Sequence, residues 1–404
     1  MAFDVLDPHF YAGDPFPAYL ELRGTDPVHW DEKNRCWVLT RHADVTFVSK
    51  RTDLFCSGQG VLADGDMQIS IVTMDDPRHA QLRKLISRGF TPRMVGVLEK
   101  RIEEIVAACI DTIAARGSCD FTAALAVPVP LLVIAEMIGI KPEDRERFAE
   151  WSDTMIAAAG RSDDIELLTR AGEAHAQYSA YLQEVFAERA RHPREDLVST
   201  LVAAHADGKL EAGESIAEDE LQMFMTLLLV AGNETTRNAL SGGMAAFARF
   251  PEEWAKLRAR PELLDSAVEE ILRFVTPVVG FRRTATCDTE IDGRKIAAGD
   301  KVVMLYQAAN RDPAVFDDPE TFRIDRRPND HLAFGIGAHF CLGANLARAE
   351  IRIVFRELLR RLPDIGVAPG QHPVRVPSPL VAAIASLPVV FTPEGGPSDV
   401  RSAH

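Results

Sequence analysis

The chain has 404 residues, a formal net charge of −15 and 47% hydrophobic residues. That apolar fraction is enough for a sizeable core, and the acidic balance argues against nucleic acid as a partner. No run of about 18 apolar residues is available to cross a membrane, and length alone, at roughly 100–200 residues per domain, suggests two or three domains.

Met1 to Leu22 carries Asp4, Asp7 and Asp14 and no apolar stretch, so no signal peptide is expected. A short helix is predicted over Pro17–Arg23 and a strand over Cys36–Thr40. Residues 56–73, with their Gly, Asp and Ser, read as a long loop. From Pro77 to Ala115 the pattern is helical, and helices follow one another to residue 250, punctuated by Pro128, Pro130, Pro142 and Pro193. Strand-like pieces then come at Phe281–Ile291, Lys301–Leu305 and Leu387–Phe391, and the tail from Pro393 reads as disordered. The class is mainly α with a minor β portion. The six cysteines, at 36, 56, 109, 119, 287 and 341, form no CxxC. That excludes a zinc ribbon, a ferredoxin-type cluster and a CxxCH haem attachment. With no leader in view, scattered cysteines fit a reducing cytoplasm.

Two stretches carry chemistry. Phe334 to Gly343 reads FGIGAHFCLG. Gly335 and Gly337 allow a tight turn close to a flat ligand, and Cys341 stands at the start of an amphipathic helix, Leu342 to Leu362. Unpaired N–H groups and the helix dipole there should shift a thiol towards thiolate. Earlier, a helical run from about Glu218 to Arg249 spans about 45 Å at 1.5 Å per residue. In its middle lies Ala231-Gly-Asn-Glu-Thr-Thr236, a local weakness. The Thr235 hydroxyl can bond the Ala231 carbonyl four residues back and open the ladder. A carboxylate beside a hydroxyl, Glu234 with Thr235, is suited to relaying protons.

Both stretches resemble motifs of the cytochrome P450 superfamily: the haem-ligand loop FGxGxHxCxG and the helix motif AGx(D/E)T(T/S). The resemblance extends in order along nearly the whole chain. It implies one oxygenase domain over residues 1–392, followed by the tail at 393–404. It also implies haem b held between the long central helix and the cysteine-loop helix, with Cys341 as axial ligand of the iron. Thiolate ligation pushes electron density onto iron and favours O–O cleavage.

The propionates then require positive charge. His79 and Arg83, four apart in DPRHAQLR, resemble the family's HxxxR helix; Arg283 matches its arginine before a strand, with Arg282 the alternative; His339 belongs to the cysteine loop. Glu270 and Arg273 form ExxR, a structural pair completed by Arg326, although Arg323 stands where the family usually has Asp. Glu269, beside it, reads as a surface residue whose loss should be nearly silent. Substrate-lining candidates are loop 61–73, Leu228, Ala231, Val278, Val279 and Leu380.

No GxGxxG or cluster motif is present, so electrons from NAD(P)H are expected through a separate ferredoxin and ferredoxin reductase. Their docking surface would be the cysteine side, with Arg78, Lys84, Arg88, Arg348 and Arg352 as basic candidates. The wording of the two motifs is similar to actinobacterial hydroxylases of steroid side chains and methyl-branched lipids, which points to a sterol or branched lipid. The alternatives are terpenoid or polyketide metabolism and, in another class, a non-catalytic haem sensor, against which the Glu234–Thr235 pair speaks. A peroxide-driven enzyme is a further option, though such enzymes often lack that pair.

Overall fold

The computed structural model describes residues 3–63, 65–158, 164–194, 196–207 and 216–395, apart from the side chains at 88, 92, 93, 97, 206 and 207. The fold is mainly helical with small sheets. The N-terminal part holds helices α1 (Pro8–Ala12), α2 (Phe16–Thr25) and α3 (His42–Lys50) and strands β1 (Val28–Asp31), β2 (Cys36–Leu39) and β3 (Phe55–Cys56). Then come α4 (Arg78–Ile86), α5 (Pro92–Asp111), the strand β4 (Ser118–Asp120), α6 (Pro128–Ile138), α7 (Arg145–Ala158), α8 (Ile165–Arg191) and α9 (Leu197–Asp207). The 32-residue α10 (Glu218–Arg249) runs unbroken and is followed by α11 (Pro251–Ala259) and α12 (Leu264–Val275). Strands β5 (Gly280–Ala285), β6 (Thr289–Ile291), β7 (Arg294–Ile296) and β8 (Lys301–Leu305) lead to α13 (Tyr306–Ala309) and α14 (Ala344–Arg361). Four short strands close the chain: β9 (Gly366–Val367), β10 (Val374–Arg375), β11 (Ile384–Ser386) and β12 (Pro388–Val390).

The largest sheet has the order β1-β2-β8-β5-β3. β2 and β8 pair in parallel, Cys36 opposite Lys301, and the other pairs are antiparallel. The main core lies among the helices, with Phe121, Ile134, Phe148, Leu229, Phe247, Ile271 and Phe355 at its centre. Two smaller clusters cover the faces of the sheet. Among the described residues no helix is long and apolar enough to cross a membrane.

Several expectations need adjusting. The strand expected over Phe281–Ile291 is two strands, broken at residues 286–288. β4 was not foreseen: three residues carry too little pattern, and pairing with β12 creates the strand. Pro128 starts α6 and Pro130 sits in its first turn, where no intrahelical N–H is required, so neither ends a helix. The described chain extends to residue 395, two residues past Pro393. The Glu394 N–H donates to the Ala114 carbonyl at 2.8 Å and its carboxylate pairs with Arg361 at 2.5 Å. The expected tail from 396 onward lies outside the described residues.

Candidate active site

The loop before α14 is closed by its own backbone: the Cys341 N–H donates to the Phe334 carbonyl (2.9 Å) and the Phe340 N–H to Gly337 (3.1 Å). Gly337 has φ +82°, and a Cβ there would lie 2.7 Å from the Ser49 carbonyl oxygen, so only glycine fits. α14 itself begins at Ala344, three residues beyond Cys341. The thiol is surrounded by protein yet keeps an exposed surface, which places it on an internal recess. Its pKa balance differs from the expected one. Burial is the largest influence and pushes the thiol up; the N–H groups of Gly343 and Ala344 and the charges of Arg83 and Arg348 oppose it and do not prevail.

The second motif lies in the middle of α10. Ala231 is exposed and Thr235 half-exposed, whereas Leu228, Asn233, Glu234 and Thr236 are buried. Thr235 Oγ1 donates to the Ala231 carbonyl at 2.8 Å. The helix continues through this bond, without the break expected from its composition. Gly232 has another use: a Cβ there would meet Ile134 Cδ1 at 2.8 Å, so glycine lets α6 pack close. Glu234 Oε1 accepts from Asn238 Nδ2 (3.1 Å), and Oε2 lies 3.6 Å from Arg237 and has no hydrogen-bond partner. Asn233 Nδ2 donates to Ser152 Oγ at 3.0 Å, tying α10 to α7.

Four basic side chains converge beside the loop. The rings of His79 and His339 stack with centroids 4.1 Å apart. Burial, then Arg283, His79 and Arg83, holds the His339 imidazole down at about 3. Burial likewise lowers His79. His79 Nε2 is buried without a partner. Arg83 reaches the Phe340 carbonyl. The nearby Asp75 carboxylate is engaged by the N–H groups of Ser57 (2.7 Å) and Gly58 (2.8 Å). Basic groups crowded together, with the imidazoles held in their neutral form and His79 Nε2 unsatisfied, fit an anionic ligand. Arg283 belongs to this group and Arg282 does not. Successive strand residues face opposite ways, and Arg282 turns to Asp66 and the carbonyls of Gln59 and Gly60. A thiol enclosed in a glycine-bearing loop with an anion-seeking cluster of basic side chains beside it suits an iron porphyrin with two carboxylates.

Of the lining candidates, Leu228 packs at the edge of the helical core beside Gly232. Val278 bridges Val381 and is partly buried, and Leu380 is partly buried next to them. Val279 is a correction. It is 1% exposed and packs with Val5, Tyr11, Val38 and Val303 on the far face, because adjacent residues of an extended segment alternate.

The brace is complete. Arg273 meets Glu270 through two bonds of 2.8 Å, both side chains fully buried. Arg326 Nε lies 3.1 and 3.2 Å from the same carboxylate despite the unusual Arg323, whose backbone N–H donates to Glu270 at 2.8 Å. Asn329 adds a further bond at 3.1 Å. Asn310, of the Asn310-Arg-Asp-Pro313 turn, ties this region to the loop: its Oδ1 accepts from the Leu332 N–H at 2.7 Å and its carbonyl from Arg273. Sequence reasoning missed Asn329, whose only signal was a polar residue beside Pro328.

Glu269 is no idle surface residue. It holds Arg348 through bonds of 2.6 and 2.8 Å and accepts from His331 at 3.1 Å. Burial pushes this carboxyl up, but Arg348 and His331 outweigh it and hold it at about 2. Arg348 is thus turned inward, Arg352 pairs with Glu99, and Arg78 pairs with Glu220, so these three do not form the free basic face expected of them. The side chain of Arg88 lies outside the described residues.

Residues 29–382 match the family model described as Cytochrome P450. The chain is similar to a steroid C26-monooxygenase of Mycobacterium tuberculosis, 39% identical over 393 residues, which are 96% of this chain and 97% of that relative. It is also similar to a Mycobacterium marinum cytochrome P450 solved with pseudoionone, with 38% identity, a TM-score of 0.87 and coverage of 97% and 99%. A third is a Bacillus megaterium cytochrome P450 solved with testosterone, with 32% identity, a TM-score of 0.86 and coverage of 94% and 100%.

Proposed function

Since this chain belongs to the cytochrome P450 family and is a monooxygenase, we propose that it hydroxylates the aliphatic side chain of a sterol, with Cys341 as the thiolate ligand of haem b. The observation that carries the substrate reading is the 39% identity, over nearly all of both chains, to a steroid C26-monooxygenase. Bound haem supplies the activation of dioxygen. The chain's own residues do the rest. Glu234, whose Oε2 makes no hydrogen bond, and Thr235, whose hydroxyl is held by the Ala231 carbonyl, hand protons towards the bound cofactor. His79, Arg83, Arg283 and His339 receive the two carboxylates of the cofactor, and Glu270, Arg273 and Arg326 brace the loop. Leu228, Ala231, Val278 and Leu380 offer apolar surface to the substrate, each Å² of which contributes about 25 cal/mol on burial. Residues 1–392 act as one domain in the cytoplasm, taking electrons from NAD(P)H through a ferredoxin and its reductase.

The second reading is a terpenoid substrate, favoured by the pseudoionone bound to the 38%-identical relative. Spectral titration decides between them. A cholestenone-like sterol is expected to give a larger high-spin shift than a straight-chain fatty acid of similar carbon count, and product analysis to place the hydroxyl on the side chain. No shift with the sterol and a clear one with a small terpenoid would replace the first reading by the second.

A further inference from the structure

One ion pair outside the buried brace is fixed to the cysteine loop at both ends. Glu269 lies on α12, one residue before Glu270. Its Oε1 and Oε2 accept from Arg348 Nε and Nη2, a two-bond fork that fixes the guanidinium plane. That plane lies over the ring of Phe334, with the guanidinium carbon 4.6 Å from the centroid. Phe334 opens the cysteine loop, and its carbonyl receives the Cys341 N–H. The other anchor is His331, 3% exposed. Its Nδ1 accepts from the Ala333 N–H at 3.2 Å, so the ring proton is on Nε2 and is donated to Glu269. The carboxylate is therefore held from two directions and in turn holds Arg348 in one place.

Arg348 sits in the early part of α14, and its positive charge favours the ionised form of the Cys341 thiol. A cation near a thiolate draws electron density towards itself and stabilises added negative charge. The Glu269 carboxylate, 2.6 and 2.8 Å from the guanidinium nitrogens, is placed to offset part of that charge. As a contribution to folding the pair is small: both side chains are about one-third exposed, and such pairs contribute about 0–1 kcal/mol. Its geometry is nevertheless over-determined for a surface pair, with a fork, a stacked ring and a buried histidine.

We propose that Glu269 is a positioning residue that acts through Arg348: it pins the guanidinium on Phe334 and offsets its charge, so that the Cys341 thiolate keeps its electron-donating strength when it ligates iron. This rests on the reading of Cys341 as the iron ligand.

The test is a redox titration of the haem-loaded parent, Glu269→Gln, Glu269→Asp, Arg348→Gln and the double variant Glu269→Gln/Arg348→Gln. The reduced carbon monoxide spectrum and the thermal midpoint of each are recorded alongside. Glu269→Gln is expected to move the midpoint potential positive, since an unbalanced cation favours the reduced, more negative centre. Arg348→Gln should move it negative by the same logic. Glu269→Asp should stay near the parent, and the double variant should return towards it, because the two charges leave together. A structural role predicts instead that the double variant departs further than either single one, with thermal midpoints falling in parallel; that result, or an unmoved potential in both single variants, overturns the proposal. Should Glu269→Gln load too little haem, the sign of the Arg348→Gln shift decides alone. A parent without a thiolate-type spectrum removes the ligand reading and this one together. A parent with that spectrum and unmoved variants removes only this one.

Discussion

Replacing Glu270 by Gln should be the most damaging single change in the brace. The carboxylate accepts from Arg273 at 2.8 and 2.8 Å, from Arg326 at 3.1 and 3.2 Å, from the Arg323 N–H at 2.8 Å and from Asn329 at 3.1 Å. Glu270 and Arg273 are fully buried and Arg326 is 2% exposed at its side chain. Gln keeps the shape but removes the charge, and its amide N–H₂ then faces other donors. Removing one partner of a buried pair costs about 3–5 kcal/mol, because the remaining charge is left without compensation. Two guanidiniums are stranded here, which puts the cost at the upper end. A domain holds about 5–15 kcal/mol in total, so a third or more of the stability is at stake. Glu269→Gln, one residue away but about one-third exposed, should cost about 0–1 kcal/mol. Urea unfolding of the two variants without cofactor, with haem content after expression, measures the contrast. Equal midpoints would refute the claim that burial separates these neighbours.

Cys341→Ser should abolish the thiolate-type spectrum of the reduced carbon monoxide complex, while Cys109→Ser leaves it; an unchanged spectrum in the Cys341 variant would count against the ligand assignment. Thr235→Ala should bind substrate normally yet divert reducing equivalents to peroxide, with product formation down by about 10²–10⁴-fold; coupling equal to the parent would remove Thr235 from the relay. Glu269 titrates at about 2 in the fold against an ordinary value of 4.5. A lowered carboxyl gives stability that is present above about pH 4.5 and lost as pH falls towards 2. Unfolding at pH 7, 4 and 3 should therefore show a steeper acid loss in the parent than in Glu269→Gln, and identical slopes would contradict that assignment.

What could be read from the sequence was local. The FGIGAHFCLG loop needs glycines where φ is positive and a cysteine near a helix start, and these requirements fall within ten residues. The Thr235 bond to Ala231 follows from helical spacing alone. What stayed hidden depends on which elements meet. Nothing around Glu269 says that α12 lies against α14 and brings Arg348 within 2.6 Å. Val278 and Val279 look alike in the chain, and only the neighbouring strands decide which one enters the core. The thiol's balance was misjudged for a related reason: the N–H groups of Gly343 and Ala344 were foreseeable, but the depth of burial that outweighs them was not.

The parallel pairing of Cys36–Leu39 with Lys301–Met304 joins segments separated by most of the chain. Contacts between remote segments form slowly, because the loop between them must first be closed. On a ribosome, β2 emerges long before β8 exists, and the helices between them can collapse in the meantime. The basic cluster has the same dependence, since His79 comes from α4, Arg283 from β5 and His339 from the loop before α14. The cluster is therefore assembled only after His339 has been added to the chain. A chain truncated before β8 would have many of its helices but neither its completed five-stranded sheet nor its complete basic cluster, which makes nascent helical intermediates the species most exposed to aggregation.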